Sequence, residues 1–142
     1  SAASDVYKRQ IHTWHGERTL AYERTTSWVR NNIVQQPRTV REGDGWAEKI
    51  VGEHDLLYFT LRRLEFEKRI EDDTCGKFHV LTLVDGERIR IRSVAQPERY
   101  FDAEYMDMVV VPADMGRYVI ENLRTEPICV HKTMLKDGFD KE

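Results

Sequence analysis

The chain lacks several features that would assign it to a major functional class. No apolar run approaches the roughly 20 residues that a membrane-spanning helix needs. The formal net charge is −3 and the two signs are interspersed, so there is no basic surface of the kind that binds nucleic acid. A glycine-rich phosphate loop, a nucleophile elbow and a Cys-x-x-Cys pair are also missing. The sequence therefore predicts neither a membrane protein nor a nucleic-acid-binding protein.

Cysteine is scarce as well. Cys75 and Cys129 are the only two in the sequence, and they do not make a disulfide framework. Cys129 stands between Ile128 and Val130, a setting typical of a small buried apolar residue. We therefore predict a reducing compartment, the cytoplasm.

The length and composition predict one folded domain with additional segments at its ends. The chain has 142 residues, of which 40% are hydrophobic and 33% charged, which suits a soluble domain with a highly charged surface. Residues 1–10 read SAASDVYKRQ, and residues 5–10 match the translation of a transposon-type sequencing adapter. We interpret 1–10 as a cloning scar, with a natural polar N-terminus as the alternative. On this interpretation the chain is a fragment of a longer protein.

The segment 11–45 differs from the rest of the chain. Apolar residues recur at helical spacing from Leu20 to Ile33, which predicts one or two short helices. Pro37 then ends any helix, because the residue before a proline is pushed out of the α region. We interpret 11–45 as a linker or helical segment, 46–136 as the main domain and 137–142 as a frayed tail.

The main domain shows the pattern of short strands separated by turns. Residues 78–84 and 87–93 flank the tight turn Asp85-Gly86, and further strands are predicted at 106–111, 117–122 and 128–134. An earlier strand begins at Leu57, and its apolar phase shifts around Arg62-Arg63, which predicts a bulge there. The pattern favours an all-β sandwich or barrel.

Histidine supplies the first candidates for chemistry. His12 and His15 have the spacing of a metal-ligand pair, but no third ligand is close in sequence, and we favour a surface or domain-contact role. His79 shares a strand face with Leu81 and Leu83, so it either lines a barrel interior and binds a ligand or is a core residue satisfied by a hydrogen bond. Tyr118 carries the same two alternatives.

Charged runs supply the remaining candidates. Arg88, Arg90 and Arg92 alternate along one strand face, where they either hold a phosphate or carboxylate or pair with acids on the adjacent strand. We favour pairing, with Glu65 and Glu67 as the expected partners. The acidic run at 71–73 precedes Gly76 and is interpreted as a solvated turn.

Three sequence blocks carry a resemblance to a known family. They are TCGKFHVL at 74–81, LVDG at 83–86 and VVPADMGRYVIEN at 110–122. Together they resemble the C-terminal region of class I mannose-6-phosphate isomerases, which are members of the cupin superfamily. Residues 11–24 also resemble the segment that links the catalytic barrel of that family to its last domain. The resemblance implies an all-β fold, a cupin-type jelly-roll barrel with a short helical N-terminal segment.

The resemblance to cupins also implies that the residues that bind the metal in that superfamily are missing from this chain. Metal-binding cupins place a Glu seven residues before the glycine of the first motif, and here that position is His79. They place a His four residues before the Asn of the second motif, and here that position is Tyr118. We therefore expect no metal and no catalytic residue in this chain.

The resemblance leads to one main functional hypothesis and two alternatives. The family implies zinc-dependent aldose–ketose isomerisation of a sugar phosphate, with the zinc in a catalytic cupin domain N-terminal to this one. The chain would then be the metal-free C-terminal domain of such an isomerase, with a structural role and that missing domain as its partner. Alternatively, His79, Tyr118 and Arg90 bind a sugar or sugar phosphate. A third reading makes His79 and Tyr118 the base and acid of an isomerase or epimerase.

The main hypothesis also predicts how the isolated chain behaves. A domain separated from its partner exposes a contact face, and we expect Trp14, Trp28 and Trp46 to belong to it. Because this face would be exposed to solvent, we expect the isolated chain to self-associate or to be poorly soluble.

Overall fold

A computed structural model describes residues 13–55 and 57–138. The chain divides into two compact units, and the boundary along the sequence lies between Val34 and Gln35. The interpretation of 1–10 as a cloning scar lies outside the described residues. So do His12 and residues 139–142 of the predicted tail.

The first unit contains the two short helices that the sequence predicts. They are α1 (Thr13–Thr19) and α2 (Thr26–Asn32), and neither has a buried residue. The Thr25 side chain caps α2 by accepting a hydrogen bond from the backbone N–H of Trp28. Within the described residues, no helix has the length and apolar character that crossing a bilayer demands.

The described residues of the second unit form ten strands and one short 3₁₀ helix. The strands are β1 (Arg38–Gly43), β2 (Trp46–Gly52), β3 (Phe59–Phe66), β4 (Arg69–Asp73), β5 (His79–Asp85), β6 (Arg88–Ser93), β7 (Tyr100–Glu104), β8 (Met108–Val111), β9 (Arg117–Asn122) and β10 (Ile128–Leu135). The 3₁₀ helix, Ala113–Met115, lies between β8 and β9.

These strands form two antiparallel sheets. The large sheet has the order β1-β2-β3-β10-β5-β8, and the small sheet has the order β4-β9-β6-β7. The apolar core lies on their inner faces and is formed by Leu64, Phe66, Ile70, Leu81, Leu83, Ile89, Ile91, Ala103, Val111, Tyr118, Ile120, Ile128 and Val130. The fold is therefore an all-β jelly roll, as the sequence predicts.

The hairpin between β5 and β6 shows how the sequence sets this arrangement. Leu81, Leu83, Ile89 and Ile91 alternate with more exposed residues and are all buried, which gives both strands one core face. Gly86, in the turn, has a φ of +119°, which side chains other than glycine rarely allow. A Cβ on Gly86 would also lie 2.5 Å from Cγ2 of Ile128.

Two expectations about the strands differ from the structure. Strand β1 lies inside the segment assigned to the linker and pairs with β2, so the sheet begins before Trp46. The bulge expected at Arg62-Arg63 is not in β3, which pairs with β10 in continuous register from Phe59 to Phe66. The register shift at this place is in β2, between Ile50 and Gly52, opposite Arg62 and Leu61. The apolar phase breaks at Arg62 because a charged side chain stands on the inner face between Thr60 and Leu64.

Candidate functional site

The inner faces of the two sheets are apolar towards one end of the barrel and polar towards the other. The apolar residues of β3 and β10 occupy one end of each strand, and charged residues take the same face towards the other end. Seven strands contribute side chains to this polar cluster, which consists of Arg41, Glu48, Arg62, Asp72, His79, Tyr118 and Lys132. The candidate site is this cluster and the cleft beside it.

Lys132 lies at the centre of the polar cluster. Its ammonium group donates hydrogen bonds to Oε1 of Glu48, at 2.8 Å, and to the carboxylate of Asp72. Both Lys132 and Glu48 are buried. Glu48 comes from the large sheet and Asp72 from the small sheet, so one nitrogen joins the two sheets.

Two arginines complete the charge pairing. Arg62 donates from Nη1 to Oε1 of Glu48, at 3.0 Å. Arg41 donates to the carboxylate of Glu48 and, from Nη2, to Oδ1 of Asp72 at 2.9 Å. Burial by itself would raise the pKa of Glu48, but the charges and hydrogen bonds of Lys132, Arg41 and Arg62 outweigh it and lower the pKa to about 2. Glu48 is therefore ionised.

His79 and Tyr118 form a hydrogen-bonded pair at the edge of this charge cluster. The His79 Nδ1 atom lies 2.7 Å from the Tyr118 hydroxyl, which donates to Oδ2 of Asp72 at 3.1 Å. The hydroxyl of Tyr118 has one proton, and we assign it to the charged acceptor, the carboxylate of Asp72, which leaves Nδ1 of His79 as the donor of the first bond. On this assignment Nε2 of His79 holds a lone pair, and within residues 13–55 and 57–138 this buried atom has no hydrogen-bond partner.

Burial and the surrounding charges hold both rings neutral. Burial, followed by the positive charge of Lys132, lowers the pKa of His79 to about 4. Burial and the charge of Asp72 raise the pKa of Tyr118 far above its ordinary value. At neutral pH the pair offers one free hydrogen-bond acceptor, Nε2 of His79, and no charge.

A cleft of about 650 Å³ opens onto the polar cluster. His79, Arg62 and Lys132 line its interior, together with the mouth residues Glu71, Asp73, Cys75, Lys77, Arg117, Met134 and Asp137. Nε of Arg62 is another buried polar atom for which the described part of the chain supplies no hydrogen-bond partner. His79 and Arg62 therefore each bring to the wall of the cleft a side chain with a buried nitrogen that is unpartnered among the described residues.

The polar cluster does not fit a divalent metal ion. Within 13–55 and 57–138, no three His, Cys, Asp or Glu side chains are grouped to hold one. The two carboxylates nearest to His79 share the ammonium group of Lys132, which a metal would have to displace.

The structure brings together two of the three predicted ligand-binding residues. His79 and Tyr118 are in direct contact, whereas Arg90 lies on the opposite face of the small sheet from Ile89 and Ile91. Arg90 makes two hydrogen bonds to Asp102, at 2.6 and 2.9 Å. Arg90 is therefore not part of the polar cluster.

The three arginines of β6 pair with acids on adjacent strands, but not with the expected ones. Arg88 and Arg90 bind Asp102 on β7, and Arg92 binds Glu121 on β9. The expectation of Glu65 and Glu67 is wrong because β6 lies between β7 and β9 in the small sheet.

Sequence analysis did not identify the charged residues at the centre of the site. The acidic run at 71–73 belongs to strand β4 and not to a turn, and Asp72 lies on the same strand face as the buried Ile70. A comparable signal occurs in β10, where Ile128, Val130 and Lys132 alternate inward. In both strands a charged residue occupies the next inward position after buried apolar residues, and this pattern could have identified Asp72 and Lys132 from the sequence.

The expected contact face of three tryptophans also needs correction. Trp46 is half-buried and packs against the apolar core, so it does not belong to an exposed face. Trp14 is exposed and stacks against the guanidinium of Arg18.

Comparison with solved structures gives several similar folds. The chain matches the cupin domain of Cnp3 from Schizosaccharomyces pombe with a TM-score of 0.52 and 15% identity over 65% of each chain. A cupin-2 domain from Rhodospirillum rubrum gives a TM-score of 0.56 and 13% identity, over 72% of this chain and 70% of that chain. Vicilin from hazelnut, Corylus avellana, gives 0.55 and 19%, over 72% of this chain and 32% of that chain.

No protein-family model and no curated protein sequence matches the chain. The identities to the solved structures establish the fold alone. They agree with the two antiparallel sheets and with the predicted jelly-roll fold. The second unit is therefore a cupin-type jelly-roll barrel.

Proposed function

We propose that this chain is a cupin module that binds a small hydroxylated ligand, a sugar or sugar phosphate, in the cleft of the polar cluster. The observation that carries the proposal is the buried Nε2 of His79, which has no hydrogen-bond partner among the described residues. His79 is 1% exposed, lines an open cleft and uses only its other ring nitrogen within the protein. A buried polar atom without a partner costs about 1–3 kcal/mol, and a ligand that supplies the partner recovers this free energy.

Nε of Arg62, the other unpartnered atom, restricts the kinds of ligand that could bind in the cleft. Nε2 of His79 needs a hydrogen-bond donor, and the N–H of Arg62 needs an acceptor. A hydroxyl group is both a donor and an acceptor, and neighbouring hydroxyls of a sugar present several such groups together. The volume of about 650 Å³ is within the usual range for a small-molecule site.

Charge balance favours a neutral sugar over its phosphate. The cations of the cleft are each paired with a carboxylate, including Arg117 with Glu71 and Lys77 with Asp137 at the mouth. A phosphate dianion would have to separate one of these pairs, whereas a neutral polyol would not. We therefore expect mannose to bind at least as tightly as mannose 6-phosphate.

A titration followed by calorimetry and by amide chemical shifts tests the proposal. The ligands are mannose, mannose 6-phosphate and inorganic phosphate. His79→Gln should weaken sugar binding about tenfold or more, since it replaces the ring acceptor at Nε2. His131→Gln is the matched control because His131 is on β10 with its side chain on the opposite face from Lys132. No heat and no shift change with any sugar, or equal affinities for the two variants, would refute the proposal.

Direct acid–base catalysis by His79 and Tyr118 has less support. A general base or acid works best with a pKa near the operating pH. The pKa of His79 is lowered to about 4 and that of Tyr118 is raised far above its usual range, so neither ring exchanges protons readily at neutral pH.

A second candidate function is that of a domain in a larger mannose-6-phosphate-isomerase-like enzyme. It is favoured by an apolar surface along β7 and β8, where Phe101, Met108 and Val110 are 56, 72 and 60% exposed. The match to vicilin, which spans 32% of that chain, shows the same fold within a longer protein. On this proposal, the zinc and the catalytic residues belong to a companion cupin domain N-terminal to this one.

Recovery of the source DNA upstream of codon 11 tests this second proposal. A reading frame that continues into another cupin barrel with His-x-His and Glu ligands would support it. Isomerase turnover by the present chain alone, with tightly bound zinc, would contradict it.

A further inference from the structure

The jelly roll is open along one side, between β7 and β8. The large sheet ends at β8 and the small sheet ends at β7, and these two edge strands do not pair with each other. Phe101 of β7 lies opposite Ile91 in the small sheet and on the same strand face as the buried Ala103. Phe101 is nevertheless exposed. An inward-facing aromatic ring therefore stays in contact with water, which forgoes the free energy of its burial.

A cavity of about 510 Å³ lies at this opening. Its inner wall contains Ile91 and Val111, which belong to the apolar core, and Val109 and Met115, which pack against that core. The volume and the mainly apolar lining are those of a small-molecule site. This cavity and the cleft of the polar cluster have no lining residue in common, so they are separate places in the fold.

Arg99 is the charged residue among the described residues that line the cavity. Its backbone is held in place, because its N–H donates to the carbonyl of Gln96 at 2.9 Å and its carbonyl accepts from the N–H of Ser93 at 3.2 Å. Arg90 and Arg92 of the neighbouring strand pair with carboxylates. The guanidinium of Arg99 has neither an ion pair nor a hydrogen bond to any residue that the structure describes. Arg99 therefore gives the cavity a positive charge that no carboxylate compensates.

We propose that this cavity binds a small amphipathic anion, a molecule with an apolar body and one carboxylate, such as a medium-chain fatty acid. The apolar body covers Phe101 and the wall formed by Ile91 and Val111, and so removes their surface from water. The carboxylate accepts charge-assisted hydrogen bonds from the guanidinium of Arg99, whose planar fork matches two carboxylate oxygens. A sugar does not suit this site, because its hydroxyls would lose water without gaining polar partners along the apolar wall.

Calorimetry and amide chemical shifts of the full chain test the inference, with octanoate, 1-octanol and acetate as the probes. Octanoate should bind one molecule per chain and raise the thermal midpoint. 1-Octanol, which lacks the charge, should bind about tenfold more weakly, and acetate, which lacks the chain, should show no binding. Arg99→Gln should weaken octanoate binding about tenfold and leave 1-octanol binding unchanged. Arg69→Gln is the matched control, because Arg69 is exposed on β4, at the other edge of the small sheet.

Phe101→Ala tests the apolar wall separately from the charge. It should weaken octanoate and 1-octanol by the same factor, because it shortens the wall and leaves Arg99 in place. If Phe101→Ala does not fold, nuclear Overhauser effects between the octanoate chain and the Phe101 ring of the wild-type protein decide the same question. Their absence would place the anion elsewhere and refute the inference.

Three further outcomes overturn the inference. Equal octanoate affinities of Arg99→Gln and Arg69→Gln would show that Arg99 does not bind the carboxylate. Displacement of octanoate by mannose would place the anion in the cleft of the polar cluster. A wild-type dimer that takes up no octanoate at any protein concentration would make a second copy of the chain the occupant of the cavity.

Discussion

At the scale of single residues, each buried charge in the polar cluster is stabilised by residues of opposite charge. Glu48 is buried because Lys132, Arg62 and Arg41 surround its carboxylate. A buried ion pair adds little net stability, but removal of one partner leaves the others buried without compensation. The polar cluster is therefore sensitive to substitution at any of its members.

Glu48→Gln tests this sensitivity. We expect a loss of about 3 kcal/mol in the free energy of unfolding, because Lys132 keeps its charge and loses half of its pairing. Urea unfolding measures the change. Glu65→Gln is the control, since Glu65 pairs with Lys49 at a partly exposed site, and its effect should stay within about 0.5 kcal/mol. Equal losses for the two variants would contradict the role given to Glu48.

His79 makes stability depend on pH. Its pKa is lowered from 6.5 to about 4 in the folded chain, so between these values the unfolded chain binds a proton that the folded chain refuses. Stability should therefore decrease as the pH falls through this window, by up to about 3 kcal/mol from His79. Unfolding curves between pH 7 and pH 4 measure the slope.

Two comparisons isolate this contribution from those of other groups. His79→Gln should flatten the slope, and it should do so more than His131→Gln, because His131 is only half-buried although its pKa is also lowered. The pKa of Glu48 is lowered from 4.5 to about 2, so its contribution is lost mainly below pH 4.5, at the acid end of the measured range. A slope that His79→Gln leaves unchanged would show that His79 titrates normally.

At the scale of elements, the turn after β5 carries a strict requirement for glycine. Gly86 combines a φ of +119° with a side-chain contact that a Cβ would make too close. Gly116 also has a positive φ, +64°, but a Cβ there would have no neighbour within 4 Å. The two glycines separate the backbone contribution from the contribution of packing.

Gly86→Ala should therefore destabilise the chain more than Gly116→Ala. We expect about 1 kcal/mol for the backbone strain at Gly116 and about 1–2 kcal/mol more at Gly86, where Ile128 must move. Chemical denaturation of the two variants provides the comparison. Ile128→Val should relieve part of the difference when it is combined with Gly86→Ala, and equal effects of the two alanines would rule out the packing contribution.

The strands also show which elements the alternation of apolar residues in the sequence can predict. The hairpin of β5 and β6 and the strands β8, β9 and β10 are confirmed. The buried apolar residues of β5 and β6 alternate, β8 is apolar throughout, and in β10 Lys132 continues the buried face of Ile128 and Val130. Strands β1, β2, β4 and β7 were not recognised. In β4 only Ile70 is a buried apolar residue, and acidic residues follow it. A strand whose inner face is charged resembles a loop in sequence.

At the scale of the whole molecule, the edge strands β7 and β8 expose apolar side chains. Phe101 and Met108 line a shallow apolar cavity of about 510 Å³ together with Tyr100 and Val110. An exposed apolar surface at the edge of a sheet promotes association. The self-association expected from the sequence stays a prediction, and this surface replaces the tryptophan face as its basis.

Met108→Lys/Val110→Lys should shift the chain towards monomer. Light scattering on a size-exclusion column, over a range of protein concentrations, measures the change. Val40→Lys is the matched control, because Val40 is 43% exposed on β1, at the other edge of the large sheet. A wild-type chain that is monomeric at the highest concentration would contradict the prediction.

The sequence by itself determined the alternation of apolar residues, the glycine turns and therefore the class of fold, because strand periodicity and turn chemistry are local properties. It also placed His79 and Tyr118 in one interior, since two matched motifs put them there. Only the tertiary structure decided the rest of the site. Glu48, Asp72 and Lys132 are far apart in sequence and on different strands, and a charged residue is energetically acceptable inside a barrel only when its partners are present. That condition depends on which strands face each other, and no single strand contains this information.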